Sequence, residues 1–192
     1  IQVLSDAGFA QAQSTPVTAG YRDFNFGASV DNTLTGEKPQ SKLWWNDGVW
    51  WGSMWDPVLN KYTIQRLNFA TQSWVSTGTT IDDRGTSRAD ALWDGQNLYI
   101  ASNVFSEQAE SATASQAARL YKYSYDPTSQ THTLSAGFPV TINSSASEAL
   151  VIDKDSTGQL WITWVENGKV KVNRTAGSDA TWGTPFDLPV QG

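Results

Sequence analysis

Carboxylates and guanidinium groups crowd into one short stretch, Asp82-Asp83-Arg84-Gly-Thr-Ser-Arg88, with Asp90 two residues further on. Two carboxylates beside arginines can do two kinds of chemistry. They can work as an acid/base pair on a glycosidic bond, or the arginines can clamp a carboxylated sugar through paired N–H donors. A charged residue also opens each of three similar apolar runs: Lys42-Leu-Trp, Asp90-Ala-Leu and Glu148-Ala-Leu. Asp90 and Glu148 are the candidate catalytic carboxylates. Lys42, Asp82, Asp83, Arg84, Arg88 and Arg119 join them as candidate ligand-binding residues. The plainer reading is that these charges pair with one another or stay hydrated.

A second cluster, Asp153-x-Asp155-x-Thr157-Gly158, matches the first half of a calcium loop. The ninth and twelfth positions of that loop are Trp161 and Trp164, where oxygen ligands are wanted, so a hairpin turn is the preferred reading and no cofactor is expected. The single histidine, His132, has no second His or Cys with which to share a metal and is expected to face solvent. The chain has no cysteine, which removes disulfides and thiolate metal sites. A net charge of -6 with no Lys/Arg cluster argues against nucleic acid or an anionic membrane surface as partner, and no apolar run is long enough to span a bilayer. Glycosylation sequons stand at Asn143 and Asn173, but patterns this short arise by chance.

The elements that must position these residues are hairpins. Asn46-Asp47-Gly48 and Asp94-Gly95 each sit between two apolar, Trp- or Tyr-rich runs, a strong hairpin signal. Ser156-Thr157-Gly158 repeats the arrangement. The turn glycines at 48, 95 and 158 are 47 and 63 residues apart, and a polar insertion, Ser106–Ala118, accounts for the longer interval. Each unit holds about four short strands, ending with Trp74–Thr77, Thr131–Leu134 and Trp182–Phe186 respectively. Four antiparallel strands per roughly 45 residues, repeated, predicts an all-β, propeller-type arc of three four-stranded blades over 41–82, 88–143 and 147–190. A β-sandwich is the alternative. Residues 1–38 read as an N-terminal extension with one strand, Tyr21–Phe26. Trp44, Trp51, Trp93 and Trp161 alternate along the strands and are expected in the blade-to-blade core.

The hairpins resemble the blades of sialidase-like propellers, whose Asp-box turn reads Ser-x-Asp-x-Gly-x-x-Trp. The third unit keeps Gly158 and Trp161 with Ser156 in place of the Asp; the first keeps Asn46, Gly48 and Trp51, and the second only Gly95. The resemblance spans about Ser41 to Val190 and implies a six-bladed ring to which this chain gives three blades. The others would come from the rest of a longer chain, in keeping with a start at Ile1 rather than Met, or from a second copy. It also implies a ligand face where the inner strands begin, made by the linkers between blades and overhung by the insertion. A secreted module that binds carbohydrate or a protein partner there is the expected function, with a sialidase-like hydrolase or a structural assembly protein as alternatives. Extracellular or cell-surface placement, with a bacterial source, goes with that reading.

Overall fold

The computed structural model describes residues 38–107 and 114–191 of the 192-residue chain. The strand expected at Tyr21–Phe26 lies outside the described residues.

Each turn signal in the sequence does fold back one strand upon the next. The first sheet runs β1 (Leu43–Asn46), β2 (Val49–Asp56), β3 (Lys61–Asn68) and β4 (Ser73–Thr80), each antiparallel to its neighbour in chain order. Asp47 and Gly48 link β1 to β2 with φ of 54° and 72°, so both central residues take the left-handed conformation that a tight hairpin of this twist demands. The second sheet runs β5 (Ser87–Trp93), β6 (Asn97–Val104), β7 (Ala118–Asp126) and β8 (Thr131–Leu134). Between β6 and β7 the described part of the insertion holds one 3-10 turn, Ala114–Gln116.

One further strand was not expected. β9 (Val140–Asn143) pairs with Ala118–Leu120 at the start of β7. The cause is the short β8, which covers only Tyr123–Asp126 and leaves the first half of β7 with free backbone groups.

The third sheet runs β10 (Leu150–Lys154), β11 (Leu160–Glu166), β12 (Lys169–Arg174) and β13 (Phe186–Gln191). Its last strand starts where Trp182–Phe186 was expected to end. Trp182 instead makes an isolated bridge to Thr175, and Gly183-Thr-Pro185 breaks the run because proline has no N–H for a ladder. Pro189 is tolerated within β13 because that strand is the outer edge of its sheet.

The three sheets stack as successive blades of an open arc. Trp44, Trp51, Trp55 and Ile64 of blade 1 pack on Leu98, Ile100 and Tyr123 of blade 2. The opposite face of blade 2, with Tyr99, Ala101 and Leu120, packs on Leu150, Ile162 and Trp164 of blade 3. A middle sheet buried on both faces is not a two-sheet sandwich. The innermost strands stay together: Ala91 N–H at the heart of β5 donates to Ser41 O, just before β1, at 2.9 Å. No ring closes among the described residues.

Two residues fall elsewhere than expected. His132 is buried, 4% exposed, because Trp44 and Trp51 of blade 1 lie against the outer strand that carries it. Trp161 is not between blades; it stands on the face of blade 3 that no described blade covers, alongside Arg174.

Candidate functional site

Every linker between blades, and the loop from the second to the third strand of each blade, emerges at one end of the arc, because all three units begin there and alternate direction strand by strand. The candidate residues form two groups, one along the inner strands from that end to Asp90 at the middle of β5, and one at the linker end itself.

The inner group surrounds the first strands. Asp90 on β5 is 4% exposed, and its two oxygens accept backbone N–H groups from the neighbouring blades: Ser41 at 2.5 Å and Ile152 at 2.9 Å. Burial pushes this carboxyl above the usual range, and the two amides limit the rise. Lys42 gives its ammonium to Ala89 O and, at 3.1 Å, to Gln40 Oε1. Its pKa is lowered to about 8 by burial, with Asp90 opposing and Arg88 adding to the effect. Gln40 donates in turn to Leu150 O at 2.8 Å, and Asn103 ties to Ser147 O at 2.8 Å. Arg88 is 1% exposed and stacks 4.9 Å over the Phe105 ring. Glu148 is apart from Asp90 and ion-paired with Lys38.

The outer group sits at the junction of blades 1 and 2. Asp82, in the linker, is 2% exposed. Its Oδ1 accepts from Arg84 Nε at 2.9 Å and from the Arg84 backbone at 3.0 Å, and its Oδ2 from Arg84 Nη2 at 2.5 Å and Ser102 Oγ at 2.6 Å. Burial alone would raise this carboxyl, but the Arg84 fork and the Ser102 hydroxyl hold it below the usual range. Arg84 also donates to Ala117 O at 2.8 Å and Ser115 O at 3.2 Å, which ties the insertion to the linker. Asp82 and Arg84 are therefore fully engaged with each other and with the frame.

Above them lies a cleft of about 270 Å³, lined by Lys61, Asp83, Arg119, Tyr121 and Leu134 among others. Arg119 keeps 32% of its side chain exposed; its Nη1 is 4.0 Å from Asp82 Oδ1, and the Tyr121 hydroxyl beside it raises its pKa. Asp83 is exposed at the rim. The structure thus brings together Asp82, Asp83, Arg84 and Arg119, and separately Lys42, Arg88 and Asp90, while Glu148 answers to Lys38. Lys61 and Tyr121 were not picked out in the sequence. Neither belongs to a charged run, and each reaches the cleft through strand pairing alone.

The calcium candidates do not fit a cation. Asp155 Oδ1 accepts from Thr157 N at 2.8 Å, Thr157 Oγ1 at 2.7 Å and Gln159 N at 3.0 Å, and its Oδ2 accepts the Trp161 indole N–H at 2.7 Å. These donors hold its carboxyl far below the usual range. Asp155 thus closes the turn and pins Trp161, one residue before the position where the turn pattern wants its Asp. Asp153 Oδ1 takes the Lys154 N–H. No group of three or more His, Cys, Asp or Glu that could hold a metal ion occurs among the described residues, and no helix among them is long and apolar enough to cross a membrane. Asn173, one of the two sequon residues, is 2% exposed.

No family model matches the chain, and no curated protein matches it.

Proposed function

We propose that this chain is a propeller-type recognition and scaffolding module, placed outside the cell or on its surface, that binds carbohydrate at the end of the arc where the linkers emerge. The observation that carries the reading is the cleft at the junction of blades 1 and 2. There Lys61 and Asp83 are exposed and Arg119 is half-buried around about 270 Å³ of space, over a floor fixed by the Asp82–Arg84 pair. A rigid floor under donors and acceptors that face the cleft suits hydroxyls and a carboxylate, and costs little ordering on binding. Asp90, spent on two backbone amides, and Glu148, paired with Lys38, are poorly placed to act as an acid/base couple.

A glycan panel decides. Binding without turnover, lost in Arg119→Ala, is the expected result. Release of sugar that Glu148→Gln abolishes would replace this reading with a sialidase-like hydrolase, and capture of a protein but no glycan at the same cleft would make the partner a protein. A second reading, assembly, is favoured by the exposed apolar side chains on the faces of blades 1 and 3 that no described blade covers, where further blades would dock from a longer chain or a second copy.

A further inference from the structure

Each blade carries the same cross-strand pair, an aromatic ring on its second strand opposite a cation on its third: Trp51 with Arg66, Tyr99 with Lys122, and Trp161 with Arg174. The following blade closes the first two. Arg66 Nη1 donates to Gln130 Oε1 of blade 2 at 2.6 Å. Lys122 Nζ and the Tyr99 hydroxyl both donate to Asp179 of blade 3, at 2.7 and 2.9 Å. The third pair is open. Arg174 lies 5.1 Å over the Trp161 ring, and its guanidinium has no acceptor among the described residues. A hollow of about 460 Å³ spreads beside it, between Trp161, Gly183 and Phe186, with Phe186 46% exposed.

What fills the corresponding place on blade 1 is well defined. It is the turn from β7 to β8, in which Gln130 has φ of 51°, followed by His132 with its ring 4.7 Å from Trp51. The described chain carries a closely matching turn, from β3 to β4 of blade 1. Asp126 and Asn68 start the two turns in the same way, each accepting the N–H two residues on, at 2.9 and 3.0 Å. Gln72 has φ of 52° and holds the place of Gln130. The ladder pair Leu67 with Trp74 holds the place of Tyr125 with His132. Near them Leu43, Trp45 and Trp50 remain exposed by 39%, 49% and 40%. A blade that presents the same turn as blade 2, on an apolar face that no described blade covers, matches the open pair of blade 3.

We infer that blade 3 of one copy receives blade 1 of a second copy, with the Gln72 side-chain oxygen on Arg174 and the Trp74 ring on Trp161. The inference rests on the reading that the uncovered faces take further blades, and it names the partner and the residues. The contact is head-to-tail, so a pair of copies can satisfy both ends at once if the rotation closes.

The chain has no cysteine, so single cysteines can be introduced cleanly. Thr71→Cys chains mixed with Thr184→Cys chains should be joined by a short bis-maleimide. Thr128→Cys, in the matching turn of blade 2, should not replace Thr71→Cys. Sedimentation velocity should show concentration-dependent association that Arg174→Ala or Trp74→Ala weakens by about tenfold or more. Both side chains lie outside the core clusters, so each variant should keep the unfolding midpoint of the parent within a small margin. A monomer at all concentrations overturns the proposal. Association that neither variant weakens also overturns it, while leaving the broader assembly reading in place. Glycan binding at the Arg119 cleft is scored separately in the same variants and stands or falls alone.

Discussion

His132 lies 4.7 Å from the Trp51 ring, 4.8 Å from Tyr125 and 5.8 Å from Trp44, and neither of its ring nitrogens has a partner among the described residues. A charge is costly in such a place, and burial lowers its pKa from 6.5 to about 4. The charged and polar groups nearest this box are engaged away from the imidazole: Asp47 accepts from Tyr125 and Gln130, Gln130 accepts from Arg66, and Asp126 accepts from Thr128 and Ser129. An unfolded chain takes up its proton near pH 6.5 and the folded one only near pH 4, so between those values acid favours unfolding. That contribution is fully present above pH 6.5 and is lost as the pH falls, the loss reaching roughly 3 kcal/mol by the time the folded group titrates. Urea midpoints should therefore fall across this window in the native protein and stay nearly level in His132→Phe; a flat native profile would show the imidazole to be hydrated. The neighbours that bury it are far away in sequence, which is why Thr-His-Thr in an outer strand reads as solvent-facing. Asp90 misleads in the opposite direction. Its position at the mouth of an inner strand suggests acid/base work, yet its oxygens bracket Ser41 and Ile152 across three blades. Asp90→Ala should cost about 2–5 kcal/mol through two stranded amides, while Glu148→Gln, at a pair whose acid is 44% exposed, should cost less than about 1 kcal/mol. Equal effects in chemical denaturation would refute that division of roles.

Hairpins were the most legible elements, since their signal is local: a left-handed glycine or a polar cap between two apolar runs. Gly48 is the clearest case, with φ of 72° and open space where a Cβ would go. Gly48→Ala should therefore cost about 1 kcal/mol from backbone strain alone, seen as a lower urea midpoint with an unchanged slope. A neutral result would mean that the turn relaxes to another type. Elements whose existence depends on vacant neighbours were not legible. β9 exists because β8 is too short to cover β7, and β13 starts late because Gly183-Thr-Pro185 intervenes. The candidate site divides in the same way. The linker charges Asp82, Asp83 and Arg84 were visible as a run, but Lys61 and Tyr121 reach the cleft only through the register of strands from two different blades.

Blade 2 is what makes the arc one body. Along β6, successive side chains alternate between the two cores: Leu98 and Ile100 face blade 1, Tyr99 and Ala101 face blade 3. Trp51 and Trp161 hold matching places in their own blades, and only the first has a described blade over it, so like sequence signals left Trp51 fully buried and Trp161 half-buried. With both cores anchored on a sheet about 15 Å wide, neither outer blade can keep its packing once blade 2 opens. Ile100→Ala damages one core and Leu120→Ala the other, and each side chain is fully buried. Each substitution should destabilise the protein by about 2–5 kcal/mol, and each should move a single transition in which tryptophan fluorescence and far-ultraviolet circular dichroism coincide. The fluorescence is a fair witness to both sides, because Trp44, Trp51 and Trp55 report on one core and Trp164 on the other. If Ile100→Ala instead split the unfolding into two steps, with a blade 2–blade 3 unit surviving the first, blade 1 would be an independent module and blade 2 would not couple the two cores.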